Sequence, residues 1–268
     1  MKVLLLCNDN PNQRLLAQRL HGLHSLAAIG IVRIPAPVRR QSFGVRAARA
    51  LVGLPLRRAW FGMMAECARK APDFPDVPTA THDGVNNITL AEQVAALAPE
   101  LVVVSGTDLL KAPLIDAIGR TGRILNLHTG ISPYIKGAPN CTNWALSLGE
   151  FDLIGNTVMW LDAGIDTGAI VATERTVLTG RESLTALHIK VMDHAHDLLG
   201  RAYRRAIAQV PLPAVGQGEI GKGRLFLSRH WTAARAAAST IHFLTRYAPA
   251  ALSKPRPVRL IAMDDMGE

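Results

Sequence analysis

Cysteine is scarce in this 268-residue chain: Cys7, Cys67 and Cys141 are odd in number and widely separated. They form no disulfide framework and lack the spacing of a metal-ligand set, so the expected setting is a reducing cytoplasm with no bound metal. Long apolar runs are missing too, and none approaches the ~18 residues a membrane span needs. The apolar opening Val3-Leu4-Leu5-Leu6 has no small-residue cleavage site after it, so it reads as a first strand rather than a signal peptide. No internal repeat is visible. Charged residues make up only 19% of the chain against 49% apolar. That balance suits a soluble globular protein with a sizeable core, one large domain plus an appendage.

Acid is nearly absent at the start. Residues 1–70 hold 12 Lys or Arg against 2 Asp or Glu, residues 71–200 hold 7 against 15, and residues 201–268 hold 11 against 4. The net charge of +9 therefore resides in the flanks, and the middle is acidic. Nucleic acid running through a central cleft is not expected. The basic flanks suit the phosphates of a nucleotide-linked substrate, an anionic membrane surface or a partner protein.

What is present reads as alternating strands and helices. Lys2 to Cys7 leads through Asn8-Asp9-Asn10-Pro11-Asn12 into a helical pattern at Leu15, Leu16 and Leu20, the opening of a βαβ unit. The Asn-rich turn either caps that helix or offers its N–H groups to an anion. Ala27 to Ile34 reads as a second strand. From Arg39 to Lys70 the chain is strongly basic, with Leu56, Trp60, Met63, Met64 and Cys67 at helical spacing. Gly53 and Pro55 are expected to divide it into two short helices. Such an insertion can cover the sheet, make an oligomer contact or lie on a membrane. Val77 to Thr81 is expected as a short strand, and Thr89 with Glu92 as a capping box. Leu101 to Val104 has the β-branched content of a strand buried on both faces. Ser183 to Ala208 reads as one long helix whose His188, His194 and His196 do not share a face, so they are not a metal set. A last helix spans about Ser228 to Tyr247, with Trp231, Ala234, Ala238, Ile241 and Thr245 along one side. The final twenty residues, punctuated by Pro249, Pro255 and Pro257, read as a loose tail.

The chemistry concentrates between Ile124 and Ile170. A strand ending Asn126-Leu127-His128 sets an amide and an imidazole on one face, because alternate strand residues point the same way. The carboxyl end of a strand is where open α/β sheets bind ligands. Asp166, in the glycine-flanked turn Gly164-Ile165-Asp166-Thr167-Gly168, is positioned to complete the set. Cys141 offers an alternative, a thiol nucleophile served by His128 and Asp166.

Asn126-x-His128, Gly130-Ile131-Ser132-Pro133, Gly137, Trp144-Ala145-Leu146 and Asp166-x-Gly168 together resemble the formyltransferases that use 10-formyltetrahydrofolate. The resemblance covers roughly residues 78 to 180 well and the first thirty weakly. It implies a Rossmann-like α/β fold, a mostly parallel twisted sheet with helices on both faces and a small C-terminal helical appendage. Residues 1–210 would be the catalytic domain, with a basic helical insertion at about 36–72, and 211–268 a C-terminal extension. It also implies that Asn126, His128 and Asp166 are catalytic. Leu109, Leu110, Gly130, Ile131, Ser132, Pro133, Gly164 and Ile165 would contact the folate, and Asn8, Asn10, Asn12 and Lys136 the acceptor. Two departures stand out: Gly-Ile-Ser-Pro replaces the family's usual Ser-Leu-Leu-Pro, and Lys136 replaces its arginine.

In formyl transfer an amine attacks the formyl carbon and charge builds on the formyl oxygen. Asn126 suits that oxygen as a neutral donor, His128 serves either as protonated donor or as base, and Asp166 fixes the imidazole or relays protons. Within the family the chain most resembles the sugar N-formyltransferases, which implies a small-molecule amine on a nucleotide-linked sugar. Methionyl-tRNA or another small amine, a formyl-folate hydrolase, and an idle folate-binding module remain alternatives. Peripheral membrane association and a homo-oligomer are left open.

Overall fold

The computed structural model describes residues 1–34, 51–137, 140–162, 164 and 166–264. In chain order the elements are β1 (Val3–Cys7), α1 (Pro11–Leu23), β2 (Ala28–Arg33), α2 (Leu54–Lys70), β3 (Thr79–Asp83), α3 (Ile88–Leu97), β4 (Leu101–Ser105), α4 (Ala112–Gly119) and β5 (Arg123–His128). There follow β6 (Lys136–Gly137), α5 (Cys141–Leu148), β7 (Gly155–Trp160), β8 (Ile170–Arg175), α6 (Leu184–Ile207), α7 (Gln217–Ile220), β9 (Leu225–Phe226) and α8 (Ala233–Leu252).

Seven strands make one sheet in the order β3-β2-β1-β4-β5-β7-β8. The pairs from β3 to β5 are parallel, and β7 is antiparallel to both its neighbours. The chain winds outward from β1 to β3, then returns to lay β4 on the other side of β1. That reversal opens a crevice at the carboxyl ends of β1 and β4.

Alternation along the strands builds two cores. Val3, Leu5 and Cys7 join Leu16 and Leu20 of α1 and Leu198, Leu199 and Ala202 of α6 on one face. Leu4, Leu6, Val102 and Val104 meet Leu90 and Val94 of α3 and Leu114 and Ile118 of α4 on the other. Both faces are therefore covered by helices, as expected of a parallel sheet. The insertion adds an outer layer: Met63, Met64 and Cys67 of α2 pack on Leu15 and Met192. Pro55 sits in the first turn of α2 rather than breaking it. The expected helix before Gly53, with Arg39, Arg40, Arg46 and Arg49, falls largely outside the described residues.

Several boundaries differ from the sequence expectation. β3 runs Thr79–Asp83, two residues later than expected, in register with Ile29 to Arg33. The capping box at Thr89 is replaced by Asn87, whose carboxamide oxygen accepts the Thr89 N–H at 2.8 Å. An Asn side chain is short enough to reach the N–H two residues on. On α8, Ala236, Ser239 and Tyr247 are buried, whereas Ile241 is 56% exposed. Tyr247 fixes the rotation, because its ring meets Phe151 at 5.7 Å and its hydroxyl donates to Glu182 at 2.5 Å.

The tail is not loose. Ile261 is fully buried, its N–H donates to Thr173 Oγ1 at 2.7 Å, and its carbonyl accepts the Thr173 N–H at 2.9 Å. Arg256 pairs with Asp152 at 2.8 Å. β8 is an edge strand with unpaired backbone groups, and this segment, with Val215 bridging to Ile170, covers them. The C-terminal extension also enters the fold through β9, which pairs with β6, and through Phe226, stacked on Trp144 at 4.5 Å. No described helix is long and apolar enough to cross a membrane.

Candidate active site

β5 carries Asn126 and His128 to the carboxyl edge of the sheet, held between Val104 of β4 and Met159 and Thr157 of β7. The Asn126 amide makes no hydrogen bond to any described residue, which leaves its donors free. His128 is 8% exposed. Its Nδ1 lies 3.4 Å from Asp166 Oδ2, and its Nε2 lies 3.2 Å from the Ile135 carbonyl and 3.5 Å from Cys141 Sγ. Both ring nitrogens thus face oxygen atoms that only accept, an environment satisfied by a doubly protonated ring. Burial alone would lower the imidazole pKa. The charge of Asp166, the Cys141 sulfur and the Ile135 carbonyl outweigh it and raise the value to about 10.

Asp166 is brought to the ring by a turn with several ties. It adopts φ 48°, in the left-handed region that Asp tolerates better than most residues. Asp162 accepts the Gly164 N–H and the Thr167 hydroxyl at 3.0 and 2.6 Å. From α7, Gln217 donates to the carbonyls of Asp166 and Gly168 at 2.7 and 2.9 Å. The Gly137 N–H then donates to Asp166 Oδ2 at 2.8 Å. Gly137 has φ +94°, and a Cβ there would lie 2.0 Å from the Phe226 carbonyl oxygen, so no other residue fits between β9 and the carboxylate. Ile165 lies outside the described residues.

Two cavities meet at His128. The first, of about 360 Å³, is walled by Leu109, Leu110 and Leu161 and reaches Asn126, Gly164 and Asp166. Leu227 and Ser228, contributed by the C-terminal extension, complete it. The second, of about 300 Å³, occupies the crevice between β1 and β4 and is lined by Asn8, Asn10, Asn12, Gln13, Ser105 and Cys141. His128, Leu127, Gly106, Thr107 and Gly137 border both. In the second cavity Asn8 bridges the two strand ends, donating to the Gly106 carbonyl at 2.6 Å and accepting the Asn10 N–H. Asn10 occupies the N-cap of α1 without a side-chain capping bond. Asn12 Oδ1 and Gln13 Oε1 are buried and have no hydrogen-bond partner.

Not every expected residue reaches a cavity. Ile131 and Ser132 are fully buried, and the Gly130–Pro133 loop is pinned from behind: Thr157 donates to the Gly130 carbonyl at 2.6 Å and accepts the Ser132 N–H at 3.0 Å. Gly130, Ile131, Ser132 and Pro133 line neither cavity and instead support β5. A Cβ on Gly130 would lie 2.7 Å from both His128 Nε2 and Cys141 Cβ, so that glycine makes room for the imidazole. Lys136 pairs through its backbone with Leu225 and lines neither cavity. Cys141 begins α5, is buried, and donates its thiol to the Gly137 carbonyl at 3.3 Å. Sequence reasoning missed Gln13, Asp162 and Gln217. The Asp162/Thr167 pair around the glycine turn was a readable signal, whereas nothing local marked Gln217. His188, His194 and His196 are separated as expected, and among the described residues no cluster suits a metal ion.

Similarity to known proteins points the same way. The chain is 31% identical over 134 residues to the methionyl-tRNA formyltransferase of Chlorobium chlorochromatii, covering 50% of this chain and 41% of that protein. The chain thus spans about two fifths of the length of that curated relative. Its fold resembles a sugar N-formyltransferase from Shewanella sp FDAARGOS_354, with a TM-score of 0.58 at 14% identity over 91% of this chain and 88% of that one. It equally resembles the N-formyltransferase from Helicobacter canadensis solved with folinic acid and dTDP-3-aminofucose, with a TM-score of 0.58 at 13% identity over 92% and 82%. The family model described as formyl transferase matches residues 64–203, just over half of the sequence and all of the Asn126, His128 and Asp166 constellation, and the chain belongs to that family.

Proposed function

We propose that this protein transfers a formyl group from 10-formyltetrahydrofolate to a primary amine carried by a nucleotide-linked amino sugar, in the cytoplasm. One observation carries this reading: a buried imidazole paired with a carboxylate stands at the shared wall of two cavities. The leucine-walled cavity suits a flat heterocyclic donor held between Leu109, Leu110 and Leu161, with the free Asn126 amide at its inner end. The second cavity suits the acceptor, because Asn8, Asn10 and Asn12 set hydrogen-bonding side chains on its wall. The likeness to enzymes that bear the name sugar N-formyltransferase supports the choice of amine.

The folate donor supplies an activated formyl carbon. Asn126 donates to the formyl oxygen, and the imidazolium of His128 stabilises the negative charge that grows there as the amine attacks. With its proton held by Asp166 and the Ile135 carbonyl, His128 acts as a fixed cation rather than as the base. Asp166 is a carboxylate within reach of both ring and cavity: it accepts the proton that the attacking amine releases and returns it to the folate nitrogen as the formyl C–N bond to folate breaks and the carbonyl re-forms on the acceptor amine. The Cys141 thiol donates to the Gly137 carbonyl, and its sulfur lies 3.5 Å from His128 Nε2, an arrangement that supports direct amine attack.

Incubation with 10-formyltetrahydrofolate and a panel of amino-sugar nucleotides, followed by the absorbance of released folate, tests this. Turnover that requires one of the amines is the expected result. Tight folate binding without release would mark an idle binding module, and release without amine a hydrolase; either would overturn the proposal.

A further inference from the structure

A third cavity, of about 440 Å³, lies beside the acceptor cavity, between α2, the start of α5 and the start of α8. Trp60 and Asn140 border both, so the two spaces adjoin across these side chains. Its other walls are aromatic: Phe61, 60% exposed, on α2, and Trp231, which meets Trp144 edge-on at 4.9 Å. Two polar groups face this space. Arg57 is exposed and makes no ion pair with any described residue. Asn143 also lines it. Neither group serves the chemistry at His128.

We infer that this cavity binds the nucleotide end of the acceptor, with the base between Trp60, Phe61 and Trp231 and the diphosphate against Arg57. The inference rests on the formyl-transfer reading and adds to it a second anchoring point. Aromatic faces take any base by stacking. A free guanidinium next to an aromatic wall matches phosphate geometry in a way lysine would not. The amine then falls on the far side of Trp60 and Asn140, in the cavity that ends at His128. Anchoring at the nucleotide end leaves the sugar as the only part of the acceptor that must fit the amide-lined space.

The test uses the full chain with UDP, dTDP, GDP and ADP as probes, read by tryptophan fluorescence and calorimetry, with folinic acid binding as the internal control. At least one nucleoside diphosphate is expected to bind. Arg57→Ala is expected to weaken it by about ten- to a hundredfold and Phe61→Ala by roughly three- to tenfold, while folinic acid affinity stays unchanged in both. Both side chains are exposed, so neither change removes core packing. Folinic acid binding without any diphosphate, or diphosphate binding that ignores both substitutions, would overturn the inference and leave formyl transfer standing. Failure of folinic acid to bind would overturn both. Binding of an aminoacylated tRNA in place of the free diphosphates would overturn it in favour of a polynucleotide acceptor.

Discussion

The two cavities that meet at His128 are built in opposite ways. The donor side comes largely from one stretch, β5 through the Asp166 turn, closed by Leu109, Leu110 and Leu227, and its wall sets these leucines beside Asn126, Asp162 and Asp166. The acceptor side is gathered from distant parts of the chain, the ends of β1, β4 and β5 with α2, α5 and α6, and its wall sets Asn8, Asn10 and Asn12 beside Trp60 and Met192. The contrast shows how one buried imidazole serves two substrates, each in its own pocket, one built locally in the chain and one assembled across the fold. Changes on the shared wall should abolish chemistry, changes behind it should loosen it, and changes on the acceptor wall should affect the amine alone.

The largest effect is expected at the wall itself. Asp166→Asn keeps the shape but removes the charge that holds the His128 proton, and kcat should fall by about a thousandfold in the folate-release assay with folinic acid binding intact. Asn126→Ala, which deletes a free donor, should cost about a hundredfold in kcat. Gln217→Ala, behind the wall, removes both ties on the Asp166 turn. A looser carboxylate should cost about tenfold in kcat, and Gln217→Glu should not restore it, because a carboxylate cannot donate to those carbonyls. Asn12→Leu should raise the KM for the amine about tenfold while leaving the KM for folate unchanged. Equal changes in both constants would erase the distinction between the two sides.

The smallest effect is on pH. His128 has its folded pKa raised from 6.5 to about 10. Its contribution to stability is therefore fully present below the unfolded value and is lost as pH rises through about 10. His188 and His196 act in the other direction. Burial lowers them to about 4 and about 3, so the unfolded chain binds their protons first and stability falls as pH drops from 6.5 toward those values. Thermal unfolding between pH 4 and 10 should show both slopes, and His196→Phe should flatten the acid side.

The donor side was largely legible in the sequence because its determinants are local. The period of two put Asn126 and His128 on one face, and the glycine-flanked turn announced Asp166. The Gly130–Pro133 loop is harder to read, because a turn that supports a site and a turn that touches a ligand carry the same residues. Its ties to Thr157, across the sheet, had no local signal. The buried side of α8 was not legible, because alanines on several faces leave its periodicity undecided until Tyr247 meets Phe151 and Glu182. The tail looked loose because its prolines suit a coil, yet an unpaired edge strand recruits any extended segment that reaches it. Gln217 had no signal at all, since its partners are backbone carbonyls fifty residues away.

The most direct measurement follows the carbon itself. With donor carrying a ¹³C-labelled formyl group and an amino-sugar nucleotide as acceptor, NMR of the products should show the label as a formamide on the acceptor nitrogen. Label found as free formate, or held as a thioester on Cys141, would contradict direct transfer across the His128 wall.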